Sequence, residues 1–104
     1  MVGAVGAGVG AGMYVGGDLE TKSSKPVAEV YTVVEQTCKD LKFDVYKQEQ
    51  KAFSGLIVAS SDFGKVAFKM KGKSPTETEL SIRVGTFGDK GASELILAKL
   101  RPNL

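Results

Sequence analysis

A chain of 104 residues with 42% hydrophobic and 25% charged residues holds one small globular core and leaves no room for a second domain. Fourteen Lys and Arg against twelve Asp and Glu give a net charge of +2, too balanced to supply the electrostatic drive behind most nucleic-acid binding. With no His, no Trp and a single Cys, the sequence lacks the parts for a His-based zinc site, Ser-His-Asp or Cys-His catalysis, a haem axial His or an internal disulfide, so most enzyme classes are disfavoured and no cofactor or metal is expected.

Residues 1–17 carry no charge and hold seven glycines: Gly3, Gly6, Gly8, Gly10, Gly12, Gly16 and Gly17. Ordering so much glycine costs backbone entropy, so residues 1–13 are expected to form a flexible tether and residues 14–104 a single domain. Gly6-Ala7-Gly8-Val9-Gly10-Ala11 fits a loose dinucleotide-binding pattern, but Gly12, Gly16 and Gly17 interrupt the helix that must follow, and the chain is too short for a doubly wound sheet. Gly6/Gly10, Gly8/Gly12 and Gly12/Gly16 have the spacing that lets helices approach closely in lipid, yet a Gly/Ala run of this length is a poor spanning segment. A third reading makes the run the spacer behind an export signal. Neither a basic region nor a Leu-rich stretch opens the sequence, so the signal itself is not expected within these residues.

Tyr14 to Thr21 reads as a strand bounded by Gly16-Gly17. Pro26 suits the first turn of a helix, and Val27, Val30, Tyr31, Val34, Cys38 and Leu41 recur on one stripe that needs a sheet to cover. Cys38 on that stripe is expected to be a small buried hydrophobe; pairing between chains is the other possibility. Phe43 and Val45 open the next strand, Gly55 to Ser60 forms another, and Ser61-Asp62-Phe63-Gly64 a turn. In Lys65 to Lys71, Val66, Phe68 and Met70 alternate with Lys65, Ala67, Lys69 and Lys71, giving one core face and one wet face. After Gly72-Lys73-Ser74-Pro75-Thr76, Leu80, Ile82 and Val84 alternate with Glu79, Ser81 and Arg83, which predicts a hairpin with Lys facing Glu. Asp89 is the expected N-cap of a last helix from about Lys90 to Leu100, stopped by Pro102, with Ala92, Leu95, Ile96, Lys99 and Leu100 broadly on one side. The order strand, helix, four strands, helix describes an α+β domain: two layers, a mostly antiparallel sheet of about five strands, and two helices packed on one face.

Three stretches carry a resemblance: the Gly/Ala leader ending in Tyr14-Val15-Gly16-Gly17-Asp18-Leu19-Glu20; the helix from Pro26-Val27 into Leu41-Lys42-Phe43-Asp44-Val45; and Val84-Gly85-Thr86-Phe87-Gly88-Asp89 before the last helix, the most specific of the three. Over nearly its whole length the chain resembles a family of small uncharacterised bacterial lipoproteins, a catalogued family of unknown function. The helix leading into Phe43-Asp44-Val45 is also loosely similar to outer-membrane accessory lipoproteins in which a sheet cradles a helix. The resemblance implies an export signal ending in a lipid-modified Cys upstream of the spacer, hence a periplasmic, membrane-anchored location. Cys38, inside a helix, is not that Cys. The resemblance brings no activity and no catalytic residues.

Gly85, Thr86, Phe87, Gly88 and Asp89 form the best binding candidate, because glycines let backbone N–H groups approach a ligand and a helix start favours anions. Asp89 would compete with an anion there, so a structural strand-to-helix corner plugged by Phe87 is favoured. Asp62-Phe63-Gly64 matches a kinase metal-binding tripeptide by letters alone and is expected to be a hairpin turn. Asp18 and Glu20 share one strand face and could act as paired carboxylates, although solvated edge charges are the commoner outcome. Lys65, Lys69, Lys71, Lys73 and Arg83 could bind anionic lipid or nucleic acid, but interleaved Glu77 and Glu79 weaken that field, so a solvated sheet face is favoured. Leu97 and Leu104 fall partly outside the last helix's stripe and are expected to offer extra apolar surface for a partner. The leading expectation is a non-enzymatic, periplasmic, membrane-tethered interaction or envelope-support module. Its partner would be an envelope protein or a second copy, with the membrane reached through a lipid anchor upstream and no nucleic acid bound. The alternatives are a small soluble enzyme using carboxylates such as Asp18 and Glu20, and a membrane-interacting structural protein associating through its Gly/Ala segment.

Overall fold

Every strand with a polar/apolar alternation in the sequence lies in one antiparallel sheet of the computed structural model, which describes residues 12–104. In chain order the elements are β1 (Met13–Val15), β2 (Asp18–Ser23), α1 (Val27–Asp40), β3 (Asp44–Lys51), β4 (Ser54–Ser61), β5 (Gly64–Ser74), β6 (Glu77–Val84) and α2 (Lys90–Leu100), followed by a 3-10 turn at Arg101–Asn103. The spatial order is β1-β2-β6-β5-β4-β3. The fold is α+β with six strands, one more than the alternation predicts. The expected strand over Tyr14–Thr21 folds back on itself at Gly16 and Gly17, whose φ angles of +61° and +96° make a two-residue hairpin turn, and Tyr14 then pairs with Leu19. The readings placed on residues 1–11 lie outside the described residues, and β1 takes in Met13 from the stretch assigned to the tether.

Helix α1 starts after Pro26, which sits at the N-cap and accepts from the N–H groups of Glu29 and Val30 at 3.0 and 3.1 Å. It ends in a Schellman motif: the Phe43 N–H reaches Cys38 O at 2.8 Å and the Lys42 N–H reaches Lys39 O at 3.1 Å, with Lys42 at φ +61° where glycine is usual. Of the predicted stripe, Val27, Val30, Tyr31, Val34 and Cys38 are buried, while Leu41 sits at the C-cap and is half-buried. Tight links join β3 to β6 into a meander: Ala52-Phe53, Asp62-Phe63 and Pro75-Thr76. Bulges interrupt the ladder between Val45 and Lys47 and between Gly72 and Ser74.

Both helices cover the same sheet face and share one core with Leu19, Ile57, Ala59, Val66, Phe68, Met70, Leu80, Ile82 and Val84. Helix α2 forms as its signals predict, with Asp89 Oδ1 accepting from the Ala92 N–H at 3.0 Å. Its buried face is rotated from the expected one. Ala92, Ser93, Ile96, Leu97 and Leu100 are buried and span an arc of about 140° at helical pitch, leaving Leu95 62% exposed. The buried small hydroxyl of Ser93 causes this difference, because counting it as a solvent residue turns the apparent stripe toward Leu95 and Lys99. Leu97 and Leu104 are therefore core residues, 2% and 6% exposed, and offer no docking surface. Ser93 Oγ has no hydrogen-bond partner among the described residues. Leu104 is held by the Ser23 hydroxyl, which donates to its main-chain oxygen at 2.7 Å. Among the described residues no helix is long and apolar enough to cross a membrane.

Candidate functional site

Alternation on the strands sends one set of side chains to the core and leaves the other on a face that no described helix covers. At the C-terminal end of β6 this open face meets the corner formed by residues 85–89. Gly85 and Gly88 adopt φ of +75° and +88°, the Gly85 N–H donates to Lys65 O at 2.7 Å, and Asp89 caps α2. An anion at the start of α2 would meet the Asp89 carboxylate already occupying it. Phe87 is not the plug expected of it. Its side chain is 89% exposed, because the positive-φ glycines on either side carry the chain outward and Gly88 itself fills the tight space against the Gly17 backbone and the Tyr14 hydroxyl.

Arg83 holds this region together, a role that the sequence does not announce. Its Nε and Nη2 donate to Thr86 O at 3.2 and 2.6 Å, and its Nη1 donates to Gly16 O at 2.9 Å and Asp18 Oδ1 at 3.1 Å. One planar guanidinium thus joins the β1–β2 turn to the corner. Gly17 is required at this joint, since a Cβ there would lie 2.7 Å from both Arg83 Nη1 and Phe87 O. The one advance signal is residue type: among fourteen cationic residues only Arg83 and Arg101 are Arg, and a fork of donors suits several acceptors at once. Asp18 and Glu20 do share the open face, but Asp18 is engaged by Arg83, and Glu20 stands opposite Ser81 on one side and Met13 on the other.

The lysines of β5 divide into two groups. Lys71 lies opposite Glu79, which pairs with Lys73 at 3.4 Å. Lys65 and Lys69 form no ion pair with any described residue; between them, the short side chain of Ala67 lies opposite Arg83 and Val58. There the face dips into a hollow of about 280 Å³, lined by Asp18, Lys65, Ala67, Lys69, Ser81, Arg83, Gly85 and Thr86. A wider depression of about 640 Å³ lies toward Phe53, Leu56 and Lys71.

The remaining candidates lie apart from this hollow. Asp62-Phe63-Gly64 closes the β4–β5 hairpin: Ser61 Oγ accepts from the Phe63 N–H at 3.0 Å and donates to Gly64 O at 2.8 Å. Cys38 is fully buried on the inner face of α1, where desolvation first and the Glu35 carboxylate second push its thiol up to about 11, so almost no thiolate is present at neutral pH. The same two causes, in the same order, raise the Tyr31 phenol against an opposing hydrogen bond from Gln48. Among the described residues no three His, Cys, Asp or Glu side chains are grouped to hold a metal ion.

No curated protein matches the chain. Residues 1–103 match the family described as protein of unknown function (DUF3568), and the chain belongs to that family.

Proposed function

We propose that this domain is the folded part of a non-enzymatic, periplasmic lipoprotein, carried on a Gly/Ala spacer behind a lipid anchor and serving as an interaction or envelope-support module. The observation that carries the reading is the face of the six-stranded sheet that no described helix covers. Both helices pack on the other side, and the charged and small residues of β2, β6, β5, β4 and β3 present a broad shallow surface in place of a deep cleft. Such a surface suits a macromolecular partner better than a small substrate, whose sites are concave and mostly enclosed. The periplasmic anchor rests on the lipoprotein resemblance of the leader and of the Val84–Asp89 stretch. The partner is an envelope protein or a second copy, meeting the open sheet face.

The test uses the product of the native gene in its own cells. Feeding an alkyne-bearing fatty acid should label the product, and the labelled form should fractionate with membranes. An unlabelled product in the cytosolic fraction would overturn the tether. A photo-crosslinking residue at Ser81, on the open face, should give adducts in living cells, whereas one at Gln36, on the exposed side of α1, should not. Equal yields from the two positions, or none from Ser81, would overturn the interaction reading.

A further inference from the structure

We propose that the hollow at Ala67 binds a phosphate-type oxyanion, held between the ammonium groups of Lys65 and Lys69 with the Ser81 hydroxyl donating to it. The inference goes beyond the tether reading and does not need it, since it rests only on which cations of the open face are already committed.

Lys73 is paired with Glu79, and Lys71 lies across from the same carboxylate. The Arg83 charge is balanced by Asp18, and its hydrogen bonds to Gly16 and Thr86 fix it in place. Removing these pairs from the lining leaves the charges of Lys65 and Lys69 without an ion-pair partner among the described residues, on the same face of one strand with Ala67 between them. Residues four apart on a strand have Cα atoms about 13 Å apart, a span across which two Lys side chains can lean onto one tetrahedral anion. Ala67 supplies the room, because any longer side chain at that position would fill the space between the lysines.

Ser81 lies directly across from Lys69, and its hydroxyl is used by no other described residue. Arg83 has five N–H donors, and its four hydrogen bonds leave one Nη2 hydrogen available on the hollow's wall. A cation would meet two ammonium groups here, and an apolar ligand would have to strip their hydration. An oxyanion takes charge-assisted hydrogen bonds from both. The same chemistry reaches the site from a soluble phosphate compound or from the headgroup of an anionic phospholipid.

The test is a titration of the full 104-residue chain, labelled with ¹⁵N, by inorganic phosphate at constant ionic strength. Saturable shifts are expected at the amides of Ala67, Ser81 and Thr86. The variant K65Q/K69Q should weaken the interaction by about tenfold or more, and Ala67→Leu, which keeps every charge but fills the hollow, should do the same. K47Q/K51Q removes the same charge from the β3 edge of the same face and should change it by less than about twofold. Absence of saturable shifts, or equal losses from K65Q/K69Q and K47Q/K51Q, would overturn the site in favour of diffuse charge. Sedimentation with phosphatidylglycerol vesicles, not with phosphatidylcholine vesicles, and lost in K65Q/K69Q, assigns the oxyanion to a lipid headgroup. Saturable phosphate binding with no sedimentation assigns it to a soluble phosphate compound.

Discussion

Along β5, Val66, Phe68 and Met70 are buried beneath the helices while Lys65, Lys69 and Lys71 stand in water on the other side of the same backbone. Along β6, Leu80, Ile82 and Val84 are buried, whereas Glu79, Ser81 and Arg83 face outward, half-buried. The covered face supplies the apolar area that holds the fold, worth about 25 cal/mol per Å² removed from water. Apart from Arg83, whose hydrogen bonds join the β1–β2 turn to the corner, the open face contributes little to stability beyond its hydrogen-bonded backbone, which leaves its other side chains free to be arranged for recognition. Substitutions on the first face should therefore read out in folding, and those on the second in binding.

The sharpest way to break this comparison lies within α2. Leu97→Glu places a carboxylate without a partner in the core and should cost more than about 4 kcal/mol, whereas Leu95→Glu, two residues away and exposed, should stay within about 0.5 kcal/mol. Urea unfolding of both variants checks it, and similar losses would mean that the helix face is wrongly placed. The corner comes next. Gly88→Ala combines a positive φ with overlap onto the Gly17 backbone and should cost about 3 kcal/mol, while Gly85→Ala, strained but with open space around it, should cost about 1. Equal Tm losses for the two would separate the corner from the β1–β2 turn.

Cys38 gives the covered face a pH signature. Its thiol keeps its proton up to about 11 in the folded chain, against an ordinary value of 9.0. Between those values the unfolded state binds fewer protons than the folded one, so stability falls as pH rises from about 9 to about 11, by roughly 2 kcal/mol in all. Cys38→Ala should lower stability near neutral pH yet flatten that slope, as denaturation at a series of pH values would show; an unchanged slope would place the titration elsewhere. Ser93→Ala removes a buried hydroxyl left without a described partner and should be neutral or stabilising by up to about 1 kcal/mol, measured as a rise in Tm. On the open face, Lys73→Ala breaks an ion pair whose two side chains are 41% and 38% exposed. It should cost a few tenths of a kcal/mol at low salt and nothing measurable at about 1 M salt, and a larger loss would mean that the open face shares in holding the fold.

Local signals made most of this legible. The stripe of α1, the alternation of β5 and β6, and the Asp89 cap depend on neighbours within a turn or a strand, and each element formed where its residues indicated. Reading failed where a long-range contact decided the outcome. Gly16-Gly17 is the exception, a local hairpin signal taken for the boundary of a strand; Arg83, 67 residues away from Gly16, braces that turn. Leu97 looked surplus because nothing local shows that Ser93 turns inward. Phe87 read as a plug because a large aromatic side chain usually finds cover, and the backbone that carries it outward is set by contact with Gly17. The hollow was half legible: the lysine row stands in the sequence, but which lysines are neutralised is settled only by cross-strand register.

The sheet order also sets the sequence of events by which the domain folds. β3, β4, β5 and β6 form a meander whose neighbours are joined by two-residue links, so their pairing closes only short loops. β2 must instead find β6 across most of the chain, bringing Asp18 to Arg83 over 65 residues, whereas β1 turns back along β2 through a local two-residue link. Closing so large a loop is entropically costly and slow, so the meander with α1 should organise first, and docking of β2 and α2 should complete the transition. Arg83, which joins the β1–β2 hairpin to the corner only once β2 has docked on β6, should then act on the unfolding rate more than on the folding rate, and so on how long the finished domain persists.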